Sequence, residues 1–474
     1  MSGAIVLVLS SGWGVRTFLQ TEVLERLLQR APVALLAAPD LLDRLRERWG
    51  DRVELAPLRP FDPTRGELGR LRRRRNDYFQ RLSSTGTRRV REAAHAAGVR
   101  NPLRRLDLRR RRLQAALLAT PERLARLAER EREAFFREYP AVRDYEELFA
   151  RWRPSLVVAT VPHLAAEAPP VLVAQRLGIA TASWINSWDN LTSKPAYFTG
   201  YDHYFLWSER MREELLRYYP EARGREVTAT GVPHFDWYRR PAMVGTREEL
   251  CARLGLDPSR PLLFYATATP HLAPAEDLIV KRLAREVAEG SIPGRPQLVV
   301  RLHPGDAGGR FRDWPREGAR LQIPGGEGRG ALSAYCPTPE DNRDLVQSVA
   351  HADVVINLAS TITIEAALCD RPTVNVAYDL GPGRRFQAAI DRYYDTYDHY
   401  RTVLEHGAVR VARSHEELLR HVADYLENPA LEREGRARLA RLWCGPADGR
   451  AAERLADGLL AAAGAGVLVE AGPA

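Results

Sequence analysis

The stretch ADVVINLASTITIEAALCDRPTVNVAYD, Ala352 to Asp379, decides how this chain folds. It opens with an apolar run, Val354 to Leu358, bounded by Asp353 and by the small polar pair Ser360-Thr361. A strand buried on both faces has this pattern. Ile362, Glu365, Ala366 and Leu368 then fall at helical spacing, Arg371-Pro372 stops the helix, and a second apolar run, Thr373 to Ala377, begins at once. Strand, turn, helix and strand follow one another without a spare residue. The turn sets two hydroxyls, Ser360 and Thr361, at a helix N-terminus, where unpaired N–H donors suit a phosphate. One turn along, Glu365 is placed to accept hydrogen bonds from the two hydroxyls of a ribose. The same residues also read as a plain Ser/Thr helix cap with Glu365 as the far member of a capping pair.

Working outward, the same alternation recurs on both sides. Ala4 to Leu9 reads as a buried strand, SSGWGVR as a turn carrying Gly12 and Gly14, and Thr17 to Gln29 as an amphipathic helix. Strand, glycine turn and helix open a doubly wound α/β domain, with ligands expected at the turn, although GWG does not match the dinucleotide fingerprint and both glycines also serve a tight turn. Val33–Ala37 and Val53–Leu55 are the next strands. The rhythm resumes with strands from Ser155, Ala180, His203 and Val227. After a polar linker, Arg239 to Pro261, a second series follows: Leu262–Ala266, Gln297–Leu302, Val354–Leu358, Thr373–Ala377 and Val409–Ala412. Gly305 to Gly330 reads as irregular. Strands alternating with helices mean mostly parallel sheets. At 474 residues the chain suits two domains. We place them at 1–238 and 239–445, with a tail at 446–474.

One region breaks the rhythm. From Arg59 to Arg112 there are eighteen arginines against five acidic residues, including RLRRRRND and LRRRRLQ, and helical spacing continues to Phe136. We read residues 59–140 as a helical insertion with a basic face. Such a face is either simply solvated or a contact for anionic material, a membrane surface, a lipid-linked acceptor or an acidic polymer. Aromatics are too sparse among the arginines, and binding motifs too absent, for nucleic acid to be the expected partner. The net charge is +9, and nearly all the positive charge is arginine. The four cysteines are scattered, with no CxxC, so no zinc site or disulfide framework is indicated and a reducing, cytoplasmic setting fits. The N-terminus reads as a strand rather than a signal peptide, and no apolar run reaches membrane-spanning length.

Chemistry is expected where strands end. Strand Gln297–Leu302 runs into His303-Pro304-Gly305, so Arg301 and His303 sit at a strand's C-terminal edge, where open α/β sheets bind ligands. An imidazole there can hydrogen-bond a diphosphate and assist a leaving phosphate. Asp189 in SWDN and His163 in VPH both follow strands of the first half and are the candidates for a base, Asp189 foremost; Asp189 also suits a cap and His163 a buried structural histidine. Trp184 and Trp188 offer a sugar-stacking face or belong to the core. Lys194 is one of only two lysines.

RLHPGD, followed by the Ala352–Asp379 stretch, resembles the nucleotide-binding domain of GT-B glycosyltransferases. It is most similar to bacterial cell-envelope and capsule enzymes with an HP motif and a later Ser-rich motif, and more distantly to CDP-glycerol glycerophosphotransferases and nucleotide-sugar 2-epimerases. WINSWDNLTSKP and VTATGVPHFDWY resemble segments of bacterial GT-B proteins. The resemblance covers roughly Ser155 to Tyr425, and the insertion has no counterpart in it. It implies two Rossmann-like domains facing a cleft. It also implies a nucleotide-sugar donor contacted at its phosphate by His303, Ser360 and Thr361 and at its ribose by Glu365. The common second serine is Thr361 here, which keeps the hydroxyl. No D-x-D triplet occurs, so the divalent ion that such a pair holds on a diphosphate is not expected. The expected protein is a cytoplasmic glycosyltransferase, peripheral to the membrane's inner face if the basic insertion touches lipid, acting on a glycan or lipid-linked acceptor without metal or added cofactor. The rivals are an epimerase of the same fold, a glycerol-phosphate-type transferase and a non-catalytic binder of anionic surfaces.

Overall fold

The computed structural model describes residues 3–314, 318–325, 335–381 and 387–464. Two parallel sheets organise it. The first has seven strands in the order β3-β2-β1-β4-β5-β6-β7. These are β1 (Ala4–Leu9), β2 (Val33–Ala37), β3 (Glu54–Pro57), β4 (Pro154–Ala159), β5 (Ala180–Trp184), β6 (His203–Leu206) and β7 (Glu226–Ala229). The second has six in the order β10-β9-β8-β11-β12-β13. These are β8 (Leu262–Ala266), β9 (Gln297–Arg301), β10 (Ala319–Gln322), β11 (Val354–Asn357), β12 (Thr373–Val376) and β13 (Arg410–Ala412). The central strands are buried throughout, because helices cover both faces and leave no side for a polar residue. The second core joins Leu263, Tyr265, Leu298, Val300, Ile356 and Val376 to the helix Glu276–Glu289.

In each sheet the first strand lies near the centre and the chain winds outward on both sides of it. That order creates a switch point, between β1 and β4 in one sheet and between β8 and β11 in the other, where loops diverge and leave a crevice.

Four differences from the sequence-based expectation have physical causes. The helix expected over Thr17–Gln29 is broken: a π-helical turn, Val15–Leu19, leads to a separate helix, Val23–Leu28. Thr21 Oγ1 donates back to Thr17 O at 2.5 Å and accepts from Val23 N–H at 3.4 Å, diverting the backbone ladder. The segment read as irregular contains β10, while 315–317 and 326–334 lie outside the described residues. The linker carries two short helices, Pro241–Val244 and Arg247–Leu254. The stretch read as a tail contains the helix Ala451–Ala462, and 465–474 lie outside the described residues. Its Leu455, Leu459 and Leu460 are buried.

The chain forms two compact units, one of residues 1–233 together with those from Ala452 onward, the other His234–Ala451. The last helix belongs to the first unit: Arg454 Nε donates to Thr230 O at 2.8 Å and Glu453 pairs with Arg26 at 3.1 Å. Between β3 and the helix Val142–Trp152, the basic stretch forms four helices, Gly66–Leu82, Gly86–Gly98, Pro102–Leu118 and Pro121–Glu138.

Candidate functional site

In the second unit, Ala266 pairs with Arg301 on one side and with Asn357 on the other. Three parallel strands therefore end level, spaced by about 4.8 Å, and their loops rise from one edge at the switch point. Thr267 begins the first loop, His303 lies in the second and Ser360 in the third. The His303 N–H donates to Thr267 Oγ1 at 2.9 Å, tying two loops together. Gly305 N–H donates to His303 Nδ1 at 2.9 Å. An occupied Nδ1 leaves the ring proton on Nε2, so the imidazole presents a donor. Burial, with His271 nearby, holds the His303 pKa down to about 4. It is therefore neutral at pH 7.

The loop after β8 is braced from beneath. The buried Glu276 carboxylate accepts from Ala268 N–H at 2.9 Å and from the Tyr265 hydroxyl at 3.2 Å. Burial pushes its pKa up to about 7. Thr269 Oγ1 is buried without a hydrogen-bond partner among the described residues. In the third loop, Ala359 has φ +43°, a left-handed conformation uncommon for a residue with a Cβ. Ser360 Oγ accepts from Ile362 N–H at 3.3 Å and its own N–H donates to Asn357 Oδ1 at 3.2 Å. Thr361 is the N-cap of the short helix Ile362–Leu368.

His303, Ser360 and Thr361 thus share one sheet edge. Arg301 and Glu365 turn inward. Arg301 is buried and its Nη2 donates to Asp341 O at 2.9 Å. Glu365 is buried, and the Tyr238 hydroxyl donates to its carboxylate. A ribose would have to take the place of Tyr238. Thr267, Thr269, His271 and Glu276 were not singled out from the sequence. The signal for them was there, because the loop after the first strand of a doubly wound sheet is always a switch-point loop, and TATPH occupies it.

In the first unit, the corresponding crevice floor is held by Glu167. Its carboxylate accepts from Ser10 N–H at 3.1 Å, Ser10 Oγ at 2.6 Å, Thr160 Oγ1 at 3.2 Å and Val161 N–H at 2.8 Å. Burial raises its pKa to about 7 against those four donors. Gly12 and Gly14 form a helical turn. A Cβ on Gly14 would stand 2.4 Å from Thr160 Oγ1 and 2.9 Å from Leu9 Cδ2, so close packing against β1 and β4 requires this glycine.

The loop after β5 gathers Asp189 and His163. Asp189 accepts from Ser187 Oγ at 2.6 Å and Ser193 Oγ at 2.8 Å. Asn190 Nδ2 donates to Asn186 Oδ1 at 2.7 Å and lies 3.4 Å from His163 Nδ1. An amide nitrogen only donates, so the His163 proton sits on Nε2. Burial, reinforced by Lys194 and Arg91 and opposed by Asp189, holds His163 at about 3. Burial likewise lowers Lys194. Trp184 and Trp188 are buried in the core and present no stacking face.

The basic insertion differs most from expectation. Arg72 and Arg75, read as surface residues, are buried around Glu131 at 3.3 and 3.2 Å. Arg72 donates to the carbonyls of Ala196 and Tyr197, and Arg75 to that of Phe198 at 2.9 Å. Arg88 donates to Leu191 O at 2.6 Å and Lys194 O at 3.1 Å, and Arg91 to Ser193 O at 3.0 Å. These side chains clamp the loop that carries Asp189. Arg111 pairs with Asp77 at 2.7 Å, Arg110 with Asp107 at 2.9 Å, and Arg112 donates to Glu92 O at 3.0 Å. The basic face expected over residues 59–140 therefore does not include Arg72, Arg75 and Arg111, whose guanidinium groups are already taken up inside the protein.

No known family profile and no curated protein matches the chain. Solved structures do. The chain is similar to a UDP-GlcNAc 2-epimerase from Neisseria meningitidis bound to UDP-GlcNAc, with a TM-score of 0.51 and 12% identity over 97% of this chain and 100% of that one. It is similar to MnaA of S. aureus in a structure with UDP, at 0.52 and 10% identity over 97% and 96% of the two chains. A candidate UDP-N-acetylglucosamine 2-epimerase from Listeria monocytogenes matches at 0.53 and 12% identity over 97% and 96%. The fold is GT-B. Two Rossmann-like units, each with a parallel sheet and a central switch point, account for it.

Proposed function

We propose that the chain is a glycosyltransferase that moves a sugar from a nucleotide-sugar donor to a glycan or lipid-linked acceptor of the cell envelope, without a bound metal. The observation that carries this reading is the level row of strand ends in the second unit, with a neutral His303 whose Nε2–H is free to donate. A donor diphosphate set against this edge meets that proton and the hydroxyls of Ser360 and Thr361. Charge grows on the diphosphate as the glycosidic bond breaks, and a prearranged donor is most effective against developing charge. With its pKa near 4, His303 works here as a hydrogen-bond donor rather than as a cation. On the first unit, Asp189 is the group we assign to take the acceptor hydroxyl's proton, held in place by Ser187 and Ser193. The metal-free reading rests on the lack of a D-x-D triplet.

The second reading, a nucleotide-sugar 2-epimerase, is favoured by the neighbours named above, two of which were solved with UDP or UDP-GlcNAc. UDP-sugars are therefore the first donors to try. A transferase hydrolyses its donor slowly and releases nucleotide. An epimerase interconverts the sugar and keeps the nucleotide attached. A glycerol-phosphate transferase leaves UDP-sugars untouched and releases CMP from CDP-glycerol. Proton NMR of the incubated mixture separates the three. His303→Ala is expected to lower turnover by about 10²–10³ with the melting temperature preserved. Unchanged turnover removes His303 from the proposal.

A further inference from the structure

Nine large apolar side chains are exposed among the described residues, and the four most exposed share one helix. Leu103, Leu106, Leu113 and Leu117 of Pro102–Leu118 are 76, 64, 62 and 72% exposed. At about 100° per residue these four positions fall within roughly 80° of arc, so they form one stripe. Leu108 and Ala115 turn the other way, toward the protein. The helix also carries six arginines against a single acid, Asp107. All but Arg111 are exposed, and of the exposed ones Arg110 pairs with Asp107 and Arg112 donates to Glu92 O.

The stripe ends at a second feature. Leu118, next to Leu117, lines a cavity of about 350 Å³ into which Arg74, Arg123, Arg126 and Arg130 converge over Tyr78. Their hydrogen bonds go to neutral oxygens: Arg74 donates to the Tyr78 hydroxyl at 3.4 Å, Arg123 to Leu118 O at 3.0 Å and Arg126 to Glu122 O at 3.4 Å. Only Arg130 has a carboxylate within ion-pair distance among the described residues, Glu67 at 3.8 Å, while Glu122 acts on Arg126 from farther off. The contrast with Arg72, Arg75 and Arg111 is direct, since those carry buried or paired carboxylates.

We propose that this face of the insertion docks on the surface of an anionic membrane, with the leucine stripe entering the acyl boundary and the arginine cavity receiving lipid phosphate. Isolated exposed leucines need no explanation, but four in register do. Arginines beside an apolar stripe match a surface that is apolar beneath and negative above. A second copy of the chain is the poorer occupant, because it would bring another excess of five positive charges against this one. No described helix is long and apolar enough to cross a membrane, so the contact lies along the surface.

The test is flotation of the full chain with phosphatidylcholine vesicles, with and without phosphatidylglycerol. Binding is expected only with phosphatidylglycerol, and it should fade as salt rises. Leu113→Gln with Leu117→Gln, both at exposed positions, should lower partitioning about tenfold or more. Arg74→Gln, Arg123→Gln and Arg126→Gln together should do the same. Melting temperature and the thermal shift with UDP should be unchanged in both variants, which keeps this result separate from the nucleotide-sugar reading. The proposal is overturned if the native chain ignores phosphatidylglycerol vesicles at low salt, or if the leucine variant binds as well as the native chain. It is also overturned if sedimentation shows a dimer that the leucine variant breaks while no vesicle is bound, or if the cavity arginines take up inorganic polyphosphate but not vesicles.

Discussion

Two groups of arginines on the same insertion meet opposite surroundings. Arg72, Arg75 and Arg88 are buried, and their donors end on carbonyls between Leu191 and Phe198 and on Glu131. Arg104, Arg105 and Arg109 stand in solvent beside four leucines. The residue type is the same; the acceptors differ. A loop with few backbone partners of its own has carbonyls to spare, and a planar guanidinium satisfies several of them at once. The inward group is therefore structural and holds the loop that carries Asp189, the base of the proposed reaction. The outward group belongs to the face that the proposed membrane contact would use.

The largest expected effect tests the inward group. Glu131→Gln removes the carboxylate that pairs with two buried guanidinium groups, leaving them only the more distant Glu221, and should cost about 3–5 kcal/mol in urea unfolding. Arg72 has little reserve, since burial already lowers its pKa to about 10. Arg104→Ala and Arg109→Ala should stay within about 0.5 kcal/mol. Replacing Arg72, Arg75 and Glu131 together by apolar residues should recover only part of the loss, because the carbonyls of Ala196, Tyr197 and Phe198 would then lack donors. Full recovery would reduce the clamp to an ordinary ion pair.

Arg88→Lys comes next, at about 2 kcal/mol. The ammonium keeps the charge but cannot span Leu191 O, Lys194 O and the Tyr219 hydroxyl, the last at 3.1 Å. A loss below about 0.5 kcal/mol would show that the loop holds itself.

How much of this was legible follows the range of the interactions. Ala4–Leu9, Val33–Ala37 and Leu262–Ala266 form strands with the bounds read from sequence, because each is a short apolar run closed by small or polar residues. β10 was missed because Ala-Arg-Leu-Gln at a sheet edge has no such run. The helix Ala451–Ala462 was passed over because its partners, such as Thr230, lie more than two hundred residues earlier. His303 and Ser360 were legible because a strand end fixes which edge they occupy. Glu365 and Arg301 were not, because only a distant residue, Tyr238 or Asp341, determines which way they turn. The inward arginines fail for the same reason: Arg72 meets a carbonyl 125 residues away.

A smaller effect reaches catalysis. Arg91 donates to Ser193 O, and Ser193 Oγ donates to Asp189. Arg91→Gln should lower turnover by about tenfold, roughly 1.4 kcal/mol in the barrier, by loosening the Asp189 carboxylate. As a positioning effect it should appear in kcat, with KM for the donor unchanged and partial rescue by Arg91→Lys. A change confined to donor KM would dissociate the clamp from the acceptor side.

The smallest effect is one of pH. His163 titrates at about 3 and His303 at about 4 in the folded protein, both below the ordinary 6.5, chiefly through burial. Between those values and 6.5 the unfolded chain takes up a proton that the folded chain refuses. Each histidine's contribution to stability is therefore complete above 6.5 and is lost as pH falls through the window, to about 4 for His303 and about 3 for His163. Carboxylates titrate in the same range, so the informative quantity is the stability difference between the native chain and His163→Gln, followed from pH 7 to pH 4. That difference should shrink as the pH falls, and a flat one would mean that His163 protonates in the fold as easily as in the open chain. Arg91 is one of the two cations that help depress His163, whereas the cause after burial at His303 is His271. Arg91→Gln should accordingly raise the His163 pKa in an NMR titration and leave His303 where it is. If both move, the change has spread beyond the clamp. If neither moves, burial alone sets the His163 value, and the inward arginines hold the loop without tuning its electrostatics.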